Sequence, residues 1–482
     1  MVFDILKYPG KMFNDLIEFT LNHAGKFGAQ YAEVRIEHSV GNSFILKNGN
    51  PDAASFSSLT GLSIRVIVDG AMGFSSTNRL IKPRIKELVG DVVKTARASS
   101  RLVKKPAWLS EEKPVDAGYE IKQKTRIQDI EPDEKLSELM AVENTLKDTG
   151  INLPARFFEL SDEVRKKYYV NSEGTRIHST IPRVGIFYLI TAMSNGNMEQ
   201  RMFQYAESGG WEAVKKWNLP EKIASEAKTL DNVLRKGRKS PEGKLDLVLG
   251  PEVVGIAVHE STGHPYESDR ILGREAAQAG ESFVSPDMLN TRIGSDVVNV
   301  VEDPTIKHSH GFYLYDDEGV EAKKRFLIKE GVINEFLCNR ETAYELGIKS
   351  NAAARASNFD REPIVRMANT FISPGDCGFE ELIEDVKQGV YMKTFMEWNI
   401  DDKRFNQRYI GREAYLIENG ELKHPVKKPV LELTTPAFYE AIDAVGNDLA
   451  FVAGTCGKGD PMQGIPVWMG GPHIRLRHLT LK

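Results

Sequence analysis

The chain reads as an α+β protein: N-terminal helix-plus-antiparallel-sheet units, followed by a β-rich C-terminal domain that carries an HExxxH helix. Three observations predict this. Helical hydrophobic stripes alternate with two-residue periods through the first half of the chain. Tight-turn pairs such as Asn48-Gly49 and Asp69-Gly70 separate the alternating runs. Beyond Val297 the pattern becomes short strands and turns with few helices. The expected units are 1–105, 118–240 and 241–482.

In order, Phe13, Leu16, Ile17, Leu21 and Ala24 predict a helix over 11–26. Ala32, Val34 and Ile36 alternate with Glu33, Arg35 and Glu37, the pattern of a half-buried strand with a charged outer face. A hairpin turn at Asn48–Asn50 and strands over 62–75 lead to the helical stripe Ile85, Leu88, Val89, Val92, Val93 and Ala96. Residues 103–120 read as a linker. A helix over 132–147, strands over 156–193 and a charged helix over 211–238 build the second unit, which loosely echoes the first. In the third, Leu245, Leu247 and Leu249 form a strand, and Gly250-Pro251 opens a helix with proline where its missing N–H costs nothing. Val253 to Val258 leave that helix no polar face, so it is expected to be buried. Further strands are expected at Gly311–Tyr315, Val332–Cys338, Ile364–Phe371, Arg408–Ile417 and Pro429–Leu433, with short helices at 341–346 and 379–387.

Composition narrows the function classes. The 482 residues are 41% hydrophobic and 27% charged, ordinary for a globular protein. A net charge of −5 gives no electrostatic reason to expect nucleic acid or an anionic membrane as partner. Cys338, Cys377 and Cys456 are too few and scattered for a disulfide framework. Asp4 stands where a secretion signal carries positive charge, and apolar runs such as Ile186–Ile190 are too short to span a bilayer. A cytoplasmic protein is expected.

The chemistry concentrates in Val258–Pro265, VHESTGHP. Two imidazoles hold a metal, and the glutamate beside the first stays free to move a proton. In the familiar H-E-x-x-H form the histidines are four apart and share one helix face. Here they are five apart, and at about 100° per residue His264 would lie roughly 140° from His259 on a regular helix. An irregularity is therefore required. Gly263 in a left-handed conformation and the extended bias before Pro265 would supply it, with His264 folding back from the exit loop. The plain alternative is two unrelated histidines at a helix end.

A catalytic zinc takes three protein ligands, and Cys456 in the glycine-rich Ala453–Gly459 is the candidate third, with Lys458 favouring its thiolate. A small buried residue in a turn is the alternative. Cys338 and Cys377 read as structural. His308 and His310 would share a strand face, packing or exposed rather than ligating. Asp316–Gly319 lacks calcium-loop spacing and reads as a turn. Glu267 and Asp269 are placed to orient a ligand histidine. For the group that stabilises an oxyanion, Tyr266, His473 and a backbone N–H stand equal. No Gly-x-Ser-x-Gly element suggests a serine hydrolase.

Over nearly its whole length the chain resembles the TldD/PmbA family, TldD-type members in particular. The resemblance rests on YAEVR (Tyr31–Arg35), Gly61–Gly73 followed by Phe74, HESTGH, DDEG (Asp316–Gly319), VRMANTFISPG (Val365–Gly375), GTCGKG and GGPH (Gly470–His473). It departs at Gln388-Gly389, where the family often has Gly-Gly. The resemblance implies a zinc metallopeptidase acting on peptides or unfolded segments. It implies zinc ligands His259, His264 and Cys456, one zinc per chain, and Glu260 as base. It also implies a dimer enclosing its sites, either a homodimer or a heterodimer with a PmbA/TldE-type paralogue. The rival readings are a zinc amidohydrolase or deformylase, and a regulatory subunit with a structural metal. A β-rich domain further predicts an open strand edge near the zinc, such as Ile364–Phe371, where an extended peptide would add as a strand.

Overall fold

The computed structural model describes residues 9–275 and 280–482; residues 1–8, with Asp4, and 276–279 lie outside the described residues. The fold is mixed α+β. It opens with α1 (Pro9–Lys26), β1 (Tyr31–Lys47), β2 (Asn50–Val68), β3 (Ala71–Thr77) and α2 (Lys82–Ser99). Then come β4 (Asp116–Glu120), α3 (Pro132–Asp148), β5 (Ala155–Asn171), β6 (Arg176–Ser194), β7 (Asn197–Ser208) and α4 (Leu219–Lys236). The two helix-and-hairpin runs share one seven-stranded sheet, in the order β3-β2-β1-β5-β6-β4, with β7 also paired to β6. The join is long, from Glu33 opposite Asn171 to Lys47 opposite Phe157. The hairpin turn Asn48-Gly49 has φ of 50 and 82°, the left-handed pair that matches strand twist.

The three largest apolar clusters among the described residues hold the layers together. The first packs Phe13 and Val89 of the helices on Val34 and Val66, and the second packs Leu139 and Ile223 on Phe158 and Ile186. The third surrounds the motif helix, with Val254 and Ile256 against Val300 and Leu476. Each such side chain contributes about 1.5–3 kcal/mol when fully buried.

The C-terminal region contains β8 (Gly243–Leu249), α5 (Pro251–Val258), β9 (Asn369–Ile372), β10 (Phe395–Ile400), β11 (Ala450–Lys458) and β12 (Gln463–Gly471), among shorter strands. β9, β12 and β11 lie consecutively in a six-stranded sheet with β11 at its edge. β8 is internal to a ten-stranded sheet whose edge is β10. No helix among the described residues is long and apolar enough to cross a membrane.

Several expectations are corrected. Glu33, Arg35 and Glu37 are buried, because the Asp316–Gly319 loop packs over that face of β1. Arg65 there bridges Glu33 (2.8 Å) and Glu318 (2.6 Å). The helix expected over 211–238 is two helices, Glu212–Trp217 and α4, broken where Asn218 turns left-handed (φ 51°) ahead of Pro220. Part of the expected linker is β4, parallel to β6. Gly311–Tyr315 forms no strand. Ile364–Phe371 is not one open edge: Ile364–Val365 is paired on one side, with Ala354–Arg355, while β9 is flanked on both sides.

Candidate metal centre

The motif helix runs from strand β8 through the third core. Gly250 caps α5, Pro251 opens its first turn, and the winding widens after Val258 into a π-helix over His259–Gly263. The N–H of His264 donates to the carbonyl of His259 (3.1 Å), an i→i+5 bond. One π turn stacks residues five apart much as an α turn stacks residues four apart. This is the irregularity that the histidine spacing demanded, but by another route than expected. Gly263 is not left-handed and His264 is helical (φ −66, ψ −47°), so the chain continues winding instead of folding back. Gly263 is needed for space: a Cβ there would lie 1.9 Å from Met367 Sδ. Gly255 likewise lets α5 approach the backbone of β12 at Met469-Gly470.

The π turn brings the His259 and His264 rings to 5.0 Å between centroids. Edge strand β11 presents Cys456, whose Sγ is 3.3 Å from His264 Nε2. Ligand atoms of His259, His264 and Cys456 all lie within 4.8 Å of one another, and all three residues are buried. No other His/Cys/Asp/Glu group among the described residues converges in this way. Two imidazoles and a thiolate suit zinc. The protein leaves one donor unmet, for the buried Nδ1 of His259 has no hydrogen-bond partner.

Glu267 orients the set. Its Oε2 lies 3.1 Å from His264 Nδ1 and 2.8 Å from Arg270 Nε. Burial would raise the Glu267 carboxyl, yet Lys458 and His264 hold it well below the ordinary range. Glu267 holds the Nδ1 side of the His264 ring, which turns Nε2 toward Cys456. Asp269 does not touch the histidine; it accepts from Lys458 (2.6 Å). Lys458 is thus committed to carboxylates. Burial opposes ionisation of Cys456, but His264 and Arg366 bring its thiol down to about 7.

Glu260 faces the same cavity and forms an ion pair with Arg404. Burial would raise its carboxyl, while His264 and Arg404 hold it below the ordinary value. Arg404 sits at φ 64° in a loop that Asp401 ties together by accepting the N–H groups of Phe405 and Asn406. Its own buried Nε has no hydrogen-bond partner. Sequence reasoning missed Arg404, and no local signal marks it, because its role depends on a loop 144 residues from Glu260.

These residues line a cavity of about 430 Å³, with Met202, Phe203, Trp398 and Met469 among its apolar walls. β7, β10 and β11 all contribute lining residues, and each is paired on one side only. The remaining candidates lie elsewhere. Tyr266 is wholly buried and packs on Phe336. His473 bonds Tyr391 and Asp448 in another cleft. Burial pushes the Cys338 thiol up to about 11, and Cys377 pairs with Gly446 in a lone bridge. His308 bonds the Ser208 carbonyl, and His310 is buried.

A buried, convergent nitrogen and sulfur donor set beside a carboxylate held by Arg404, on the wall of a cleft, is the kind of centre that a metal-dependent hydrolase uses. Comparison with known proteins agrees. Family models match in succession: PmbA/TldA metallopeptidase domain 1 over 32–99, the central domain over 125–233 and the C-terminal domain over 242–482. A metalloprotease of Methanocaldococcus jannaschii is 33% identical over 92% of this chain and 95% of the relative. A zinc metalloprotease TldD homolog of Saccharolobus solfataricus is 26% identical over 96% of this chain and 98% of its own length. The crystal structure of TldE from Thermococcus kodakarensis shares the fold, with TM-score 0.77 at 17% identity, over 98% of this chain and 99% of that one. The chain belongs to the PmbA/TldA (TldD/PmbA) metallopeptidase family.

Proposed function

We propose that this protein is a zinc-dependent metallopeptidase that hydrolyses peptide bonds in peptides or unfolded protein segments. His259, His264 and Cys456 hold one zinc per chain, and Glu260 is the general base. The observation that carries this reading is the convergence of three soft and nitrogen donors within 4.8 Å on the wall of a 430 Å³ cavity bordered by open strand edges. The name of the Saccharolobus relative, a zinc metalloprotease, supports the same metal. When bound, zinc supplies the Lewis acidity that polarises a carbonyl and acidifies water.

Glu260 takes the proton of the attacking water and passes it to the leaving amine. Arg404 keeps Glu260 ionised at rest and offers its partnerless Nε–H to the charge that grows on the carbonyl oxygen. The extended substrate adds along an edge strand, β11 above all, through backbone hydrogen bonds available to any sequence. A folded domain has already committed those groups. Pairing with a second copy, or with a PmbA/TldE-type paralogue, would screen the cavity by size as well. The cavity is larger than a formyl or acetyl group needs, which favours peptides over small acyl substrates.

The test presents one globular protein natively and again destabilised by a core mutation, with metal analysis of the peptidase alongside. Faster loss of the destabilised form, abolished by chelation and restored by zinc, is expected. Equal rates for the two forms would remove the substrate class from this reading.

A further inference from the structure

A second cavity, of about 50 Å³, lies at the seam between the N-terminal sheet and the C-terminal region, lined by residues separate from the metal centre. β5 contributes Arg165 and Lys167, β6 contributes Ser179 and Arg183, and Arg355 closes it from the C-terminal side. The first two cations have acidic partners. Arg165 pairs with Glu163 (3.0 Å) and Glu37 (3.7 Å), and Lys167 pairs with Asp317.

The other two make no direct ion pair among the described residues. Arg183 donates Nε to the His310 carbonyl (3.1 Å), and Arg355 donates to the carbonyls of Met367 and Pro466 (3.0 Å for the latter). Carbonyl dipoles solvate these guanidiniums without neutralising them. Burial and Glu318 push the carboxyl of Asp316, the remaining acid in the lining, well above the ordinary carboxylate range. Its oxygens are occupied by the N–H groups of Glu318, Val320 and Ala354. The buried Arg355 and the half-buried Arg183 therefore lack a direct counter-ion, with Asp317 and Glu163 attracting them only at longer range, and a bound anion would supply the missing charge. Neighbouring groups report the same field. Burial and the charges of Arg183 and Arg355 hold His310 well below its ordinary value, and its buried Nδ1 has no partner.

We propose that this seam cavity is a binding site for a small, doubly charged tetrahedral oxyanion, held between Arg183 and Arg355. Size agrees: at roughly 10–15 Å³ per water, the space takes a few waters or one such ion. Planar guanidinium forks are suited to phosphate-type oxygens, and Ser179 and Tyr119 bring hydroxyls to the same lining. Because the arginines come from opposite sides of the seam, the bound ion cross-links the N-terminal sheet to the domain that carries the metal centre.

The test uses the full metal-loaded chain, with inorganic phosphate or sulfate as probe and chloride at matched ionic strength as control. Calorimetric titration should show saturable binding near one ion per chain, and Tm should rise with either oxyanion but not with chloride. Arg183→Gln and Arg355→Gln should each weaken the oxyanion at least tenfold and flatten the Tm response. Exposed Arg238→Gln should leave both unchanged. A Cys456→Ala chain should keep the response, which separates this site from any anion held at the metal. Absence of saturable binding by the unmodified chain overturns the proposal. So does an equal response to chloride, or binding untouched by both arginine substitutions.

Discussion

The metal centre and the Asp316–Gly319 knot are both buried, both polar and both built from short motifs, yet they differ in how far the protein satisfies them. In the knot, Asp317 takes Lys167 and the Ala356 N–H, and Glu318 takes Arg65 and the Arg340 N–H (2.6 Å each). Every acid there has a protein partner, so the carboxylates of the knot have nothing to give a ligand. At the metal centre the donors point at one another with no protein cation between them, and His259 Nδ1 is left without a partner. Buried polar groups are normally satisfied, so a cluster that is incomplete in protein atoms alone marks a place where something binds.

The comparison can be broken at several points. Glu260→Gln should lose about 10²–10⁴ in turnover while keeping zinc, since the residue moves a proton and is no ligand; wild-type activity in that variant would end its proposed role. Arg404→Met should lower kcat by about 10²–10³ with metal content unchanged, the usual effect of deleting an oxyanion donor. A rise in KM alone would reassign Arg404 to substrate binding.

Removing ligands and removing knot residues should give opposite signatures. Cys456→Ala and His264→Ala should lose metal with circular dichroism unchanged, because the third core surrounds α5 without relying on them. Arg65→Met should keep metal and cost about 3–5 kcal/mol in chemical denaturation, by stranding the buried acids Glu33 and Glu318. Global unfolding of the ligand variants would instead favour a structural metal.

Smaller effects refine the centre. Glu267→Gln should weaken zinc about 10–100-fold, read by competition with a chelator, because His264 loses its ionised partner. In the metal-stripped chain, alkylation of Cys456 should rise with pH about a midpoint near 7, as thiolate forms above it, while Cys338 waits until about 11. Equal pH profiles for the two cysteines would contradict the charge environment described.

By itself the sequence determined the α+β class, the hairpin at Asn48-Gly49, the buried helix opened by Pro251, and His259, Glu260 and His264 as one candidate set. Local physics carries these: turn residues, hydrophobic period and donor spacing are written within a few residues of one another. Cys456 could be nominated from its glycine-rich surroundings, but only β11, set beside the π turn by its pairing with β12, brings its sulfur to His264. The π turn was also beyond local reading, since the close contact of Gly263 with Met367 comes from a segment about a hundred residues away. Arg404 opposite Glu260, the buried charged face of β1 and the absence of a direct ion pair at Arg183 and Arg355 belong wholly to the tertiary structure. Alternation along a strand states which residues share a face, and only the packing of distant segments decides whether that face meets water, an opposite charge or an empty cavity.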